Sequence, residues 1–210
     1  MIQLIFKGGW LMLPILLCSI FSLAIIIERL IYFSRIKLNI SELLTQILSY
    51  VRRNRIREAI QVCEKYPSYL TNILKAGLLH YDQSKEVIRE AMEEASLYEI
   101  PKLERNINFL STIAHISPLL GLLGTVMGMV KSFYVIEQKA ATVGMVNPSD
   151  LAGGIWEALL TTAAGLCVAI PSFIAYNYFV HRVNLYTLTA ERATTELLRV
   201  LSGAPYSHEI

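Results

Sequence analysis

The chain has 210 residues, 54% hydrophobic and 17% charged, with a mean hydropathy of +0.45 and a net charge of +2. That is too apolar and too weakly charged for an ordinary soluble domain, and it predicts a membrane protein. The three cysteines, Cys18, Cys63 and Cys167, lack metal-ligand spacing and read as unpaired thiols, which argues against a disulfide framework.

Residues 1–9 read as a short amphipathic lead. The run 10–27 is uncharged and apolar, and Leu30, Ile31, Tyr32 and Phe33 extend it to a first spanning helix over 10–33, with Trp10 as an interface anchor. No small-residue cleavage site follows, so the run reads as a retained helix and not as a signal peptide. Pro14 falls in the first turns, where a missing N–H costs little. Glu28 and Arg29 mark the far interface, where Arg29 is expected to snorkel.

Residues 34–106 are polar and hold ten acids. Two stretches show helical spacing: Ile40, Leu43, Leu44, Ile47, Leu48, Val51, and then Ile56, Ala59, Ile60, Cys63. Pro67 breaks the pattern. A further helix is expected from a Ser84 cap through Glu99, and Pro101 begins or kinks the approach to the next span. The segment reads as a small helical domain, too poor in core of its own to be a separate enzyme. It carries no phosphate-binding glycine loop, metal cluster or nucleophile motif, so no catalytic residue, metal or cofactor is expected. The basic run from Arg52 to Arg57 reads as a solvated helix face, ahead of a lipid- or nucleic-acid-binding patch.

The second span is expected over 107–133. His115 is its one titratable interior group, and it reads as a buried neutral histidine ahead of a proton relay. Pro118 predicts a kink, with Ser111, Thr112 and Ser117 available to the freed backbone groups. Gly121, Gly124 and Gly128 form a small-residue track, and the last two have the spacing that lets another backbone approach closely. Thr125 lies beside it. Residues 134–150 read as a short loop.

The third span is expected over 151–180. Asn147 and Pro148 supply a cap and a first-turn proline. Its 30 residues make a helix of roughly 45 Å, enough to cross a bilayer. Between Leu151 and Val180 there is one charged residue, Glu157. An acid at that depth is expensive unless it faces protein or a water-filled path, and burial disfavours the charged form of a carboxylate in general. Glu157 is therefore a candidate proton carrier, against the alternative of a structural acid bonded to a neighbouring helix. Gly165 and the other small residues of this span imply close packing, and Pro171 predicts a kink. Residues 181–210 continue at helical period until Gly203-Ala204-Pro205. Thirteen of the 19 basic residues lie between Arg29 and Arg105. That bias places the N-terminus and 134–150 outside, and 34–106 and the tail in the cytoplasm.

The runs 117–126 (SPLLGLLGTV) and 151–166 (LAGGIWEALLTTAAGL), with Ala169-Ile170-Pro171, Ala175-Tyr176-Asn177 and Glu28-Arg29-Leu30, resemble the MotA/TolQ/ExbB proton-channel family. The resemblance covers the whole chain and is closer to the ExbB and TolQ branch than to MotA, which has four spans. It implies an all-α integral membrane protein of the bacterial inner membrane, with three spans and long cytoplasmic helical extensions. It implies a ring-forming homo-oligomer, a pentamer, around an ExbD/TolR-type single-span subunit that carries a membrane aspartate, and a TonB/TolA-type envelope-spanning partner. The family's channel acid falls on Glu157 and its pore threonines on Thr125 and Thr162. The helical period points elsewhere: Thr161 is about 40° from Glu157 around the helix and Thr162 about 140°. Both stay candidates, with Thr162 first. The function expected is a subunit that couples proton entry to mechanical work in the envelope. The alternative is a passive membrane scaffold that recruits partners through 34–106, and an acid at the depth of Glu157 discriminates against it.

Overall fold

The computed structural model describes residues 8–36, 40–142 and 147–202. They form seven helices: α1 Met12–Ile36, α2 Ile40–Arg52, α3 Ile56–Lys65, α4 Tyr69–Leu79, α5 Lys85–Glu104, α6 Ile107–Thr142 and α7 Pro148–Leu201. Three are long and apolar enough to cross a membrane, over Met12–Ser34, Ile107–Thr142 and Leu151–Leu201. The chain divides into two compact units, one of Met1–Arg29 with Asn106–Phe179, the other of Leu30–Arg105 with Val180–Ile210.

The first unit is α1, α6 and the first part of α7. Its helix seams are lined by small residues, with Ile15, Leu110 and Phe179 buried among the large ones, while most of its large apolar side chains face outward. Ser22, Ser117, Gly121, Gly124, Gly128, Ala158, Thr161 and Ser172 are buried, whereas Leu13, Ile20, Phe21, Leu119, Leu122, Leu159 and Ile174 each have more than half of their surface exposed. Lipid tails solvate leucine as well as a protein core does, so close backbone approach, not the hydrophobic effect, drives helix association in such a unit. The α6–α7 seam shows how. A Cβ on Gly128 would lie 2.6 Å from the Gly154 carbonyl oxygen, and one on Gly165 2.5 Å from that of Ser117. A Cβ on Gly124 would overlap the Thr161 hydroxyl. The buried Ser22 and Ser172 hydroxyls, 2.6 Å apart, join α1 to α7.

Several expectations need correction here. Most of 134–150 is helix and not loop: α6 continues to Thr142 and α7 begins at Pro148. No glycine or proline interrupts 134–142, and Glu137, Gln138, Lys139, Ala140 and Ala141 favour helix. The first span runs to Ile36 as helix, beyond residue 33. Pro118 and Pro171 lie within α6 and α7, the setting in which a kink is expected. Pro118 frees the carbonyl of Ala114, but Thr112 donates to the Asn108 carbonyl at 3.0 Å and the buried Ser117 hydroxyl has no partner, so neither serves it. Arg29 does not snorkel. Its residue is 3% exposed and its guanidinium pairs with Glu28, which also accepts from Asn106 Nδ2 at 3.2 Å. The acid beside it in sequence, itself about half exposed at 47%, gives the buried cation a partner. The amphipathic lead over 1–7 and the Gly203-Ala204-Pro205 stop lie outside the described residues.

The second unit is the end of α1, α2 to α5 and the end of α7. Asn54, at φ 57°, turns the chain between α2 and α3, a conformation asparagine tolerates well. Pro67 separates α3 from α4, and Ser68 and Thr71 form a capping box. Ser84 caps α5 as expected, although α5 continues past Glu99 and through Pro101 to Glu104. Ile47, Leu70, Ile73, Leu74, Leu78, Met92 and Leu103 are fully buried. The expectation that 34–106 is poor in core held it apart from the tail. In the fold, Val183, Tyr186, Ala190, Ala193 and Leu197 of α7 are buried in the same unit. Tyr186 stacks on Phe33 at 5.7 Å between ring centroids and packs on Tyr69 at 5.5 Å. In the basic run, Arg55 pairs with Glu58 at 2.9 Å, and that arginine, after a backbone hydrogen bond, helps hold the Glu58 carboxyl below its usual range.

Candidate functional site

The sequence placed its candidates on α6 and α7, and the first unit holds all of them. Glu157 sits about 14 Å along α7 from Pro148. Its side chain is only 17% exposed, and Oε2 accepts a hydrogen bond from Lys131 Nζ of α6 at 2.8 Å. The other oxygen, Oε1, lies against Gly9, where a Cβ would overlap it. Gly9 has φ +71°, a left-handed conformation in which a side chain is strained, and its carbonyl accepts from the Met12 N–H at the start of α1. The carboxylate is thus enclosed by three segments, and its charge has a counter-ion. An ionised acid inside a spanning unit needs one or the other of these to be tolerated.

The threonines divide around the seam. Thr161 is fully buried over Gly124, and its hydroxyl donates to the Glu157 and Ala158 carbonyls of its own helix. Thr162 is partly exposed and donates across the seam to the Gly121 carbonyl at 3.1 Å. Thr125, also partly exposed, donates to the Leu122 carbonyl at 2.6 Å. The hydroxyl proton of each is therefore engaged by backbone. Thr161 is nearest the acid in helical phase, as the spacing indicates, but is enclosed. Thr162 lies about 140° round the helix from Glu157, and the two side chains meet different partners. His115 is exposed on α6, contrary to the expectation of a buried histidine. Its Nδ1–H donates to the Ser111 carbonyl at 2.7 Å and its ring meets Phe173 edge-on at 6.3 Å. Position 115 falls outside the seam because the buried positions of α6 on either side of it are 110, 114, 117 and 121.

Lys131 and Gly9 were missed in the sequence. The signal for Lys131 was present: it is the one charged side chain in 107–133, as Glu157 is in 151–180. Among the described residues, no group of three His, Cys, Asp or Glu is placed to hold a metal ion. The site sets one carboxylate against one ammonium from a neighbouring helix.

The model of the MotA/TolQ/ExbB proton channel family matches residues 65–192. An ExbB-like biopolymer transport protein of Synechocystis sp. is 34% identical over 172 residues, which are 82% of this chain and 81% of that protein. The biopolymer transport protein ExbB of Salmonella typhimurium is 31% identical over 174 residues, covering 72% of this chain and 70% of its own. The Tol-Pal system protein TolQ of Haemophilus influenzae is 46% identical over 95 residues, covering 45% of this chain and 40% of its own.

Proposed function

Because the chain belongs to the MotA/TolQ/ExbB proton channel family, in its ExbB/TolQ branch, we propose that it is the channel subunit of an inner-membrane motor driven by the proton gradient. The work would serve biopolymer transport or a Tol-Pal type system, the roles named for its relatives. Glu157 is the proton carrier in this reading, and Thr125 and Thr162 are polar groups along the path. Partial exposure of both supports them over the enclosed Thr161. The subunit would form a homo-oligomeric ring, a pentamer, around an ExbD/TolR-type partner with a membrane aspartate, and deliver force to a TonB/TolA-type protein. Its N-terminus would be periplasmic and its C-terminus cytoplasmic. Each proton crossing would supply about 2.3 kcal/mol per 100 mV.

The observation that carries the reading is the enclosed carboxylate of Glu157, the one charged side chain between Leu151 and Val180. A passive scaffold has no use for it. Glu157→Gln keeps shape and most hydrogen bonding but cannot titrate. It is expected to keep normal membrane levels and assembly while abolishing gradient-dependent complementation in cells, and Glu157→Asp is expected to keep part of it. Full complementation by Glu157→Gln at normal expression would defeat the carrier role. Loss of assembly together with function would favour a structural acid.

A further inference from the structure

We propose that Lys131 is the positioning residue of Glu157, a latch that holds the ionised carboxylate in the Gly9 notch and lets go when the carboxyl takes a proton. The inference rests on the carrier reading of Glu157 and adds a second residue to it. Three observations carry it. Lys131 Nζ reaches Glu157 Oε2 at 2.8 Å from a different helix, across 26 residues of chain. The Lys131 side chain is 65% exposed whereas that of Glu157 is 17% exposed, so the cation has room to swing away on its long stem and the acid does not. The oxygen that Lys131 does not hold lies against Gly9, where a side chain would displace the carboxylate.

Among the described residues, the side chain that reaches Glu157 as a cation is that of Lys131. Among the described residues, α1 brings no charged side chain before Glu28, α7 brings none other than Glu157 between 151 and 180, and α6 brings Glu137 and Lys139 only further along. Protonation moves one proton onto the carboxylate and leaves a neutral acid. The electrostatic attraction to the ammonium then disappears, and what remains is a single hydrogen bond from an exposed lysine. The state of the proton is thereby converted into the presence or absence of a tie between α6 and α7.

The test uses the full chain with its native partners in cells, and the purified protein in proteoliposomes. Lys131→Met is expected to keep normal membrane levels yet reduce gradient-dependent complementation about tenfold, and Lys131→Arg to restore most of it. In proteoliposomes the infrared carboxylate band that Glu157→Gln removes should be displaced in Lys131→Met and return in Lys131→Arg. Gly9→Ala, which intrudes on Oε1, should displace the same band with Lys131 in place. An unmoved band and full complementation in Lys131→Met, with Glu157→Gln inactive, overturns the latch and leaves the carrier standing. Full complementation in Glu157→Gln removes both.

Discussion

Gly124 and Thr161 show how narrow the tolerances of the α6–α7 seam are. The threonine fills the place a side chain on residue 124 would need. The Gly121, Gly124 and Gly128 track is thus occupied within the chain, by α7. Gly124→Leu is expected to separate the two helices and lower the apparent melting temperature in detergent by roughly 10 °C or more, together with membrane yield, whatever the oligomer. Gly153 is the control, because nothing lies within 4 Å of a Cβ placed there. Gly153→Ala should melt at or slightly above wild type, since alanine is the better helix former by about 1 kcal/mol. Equal melting of the two variants would contradict the seam. A second contrast lies in the other unit. Cys63 is 2% exposed, and burial pushes its thiol up to about 11. The folded state therefore holds the proton more tightly than the unfolded state. The stability this contributes is present below the ordinary thiol range near pH 9 and is lost as pH rises through about 11. A maleimide reagent at pH 8 should leave Cys63 intact in the native protein and modify it within minutes in denaturant.

At the scale of helices, the length of α7 matters most. It is 54 residues long and serves two units that differ in the physics of their packing. Up to Phe179 its closest approaches to α6 and α1 are made by glycine, alanine, serine and threonine. After Val180 it presents Tyr186, Ala193 and Leu197 to a conventional apolar core. Leu197 and Leu74 are both fully buried there. Leu197→Ala and Leu74→Ala are each expected to destabilise this unit by about 2–5 kcal/mol. Proteolysis of the native protein should then cut within 40–105 in both variants at similar rates. Resistance of 40–105 in Leu197→Ala would mean that the tail is not part of its core. The Lys131–Glu157 pair also belongs to this scale. Lys131 is about 17 Å along α6 from its end at Thr142, and Glu157 about 14 Å along α7 from Pro148. Two antiparallel helices joined by a short connection bring such positions level.

For the molecule as a whole, the basic residues between Arg29 and Arg105 decide the expected sidedness. Ser84 and Thr142 are both exposed, at the start of α5 and the end of α6. In a background without native cysteines, a membrane-impermeant thiol reagent added to intact cells should label Thr142→Cys and spare Ser84→Cys. Labelling of Ser84→Cys alone would invert the orientation and put the outer half of α7, with Glu157, on the cytoplasmic side.

The all-helical class, the three candidate spans and the singular position of Glu157 were legible in the sequence, because each is a property of a single stretch. An apolar run longer than the bilayer is a span whatever surrounds it, and one acid among thirty residues stands out without any contact being known. The start of α7 at Pro148 and the Ser84 cap were legible for the same reason, since caps are local chemistry. What depends on two distant stretches was not. The phase of the helix put Thr161 beside the acid, but only the packing of α7 on α6 encloses it over Gly124. The segment 34–106 read as poor in core because the residues that complete its core, such as Tyr186 and Leu197, lie beyond residue 180. The counter-ion of Glu157 sits 26 residues away on another helix, and the glycine that closes its notch lies ahead of α1. Composition and period report on one helix at a time, whereas burial and ion pairing are set where helices meet.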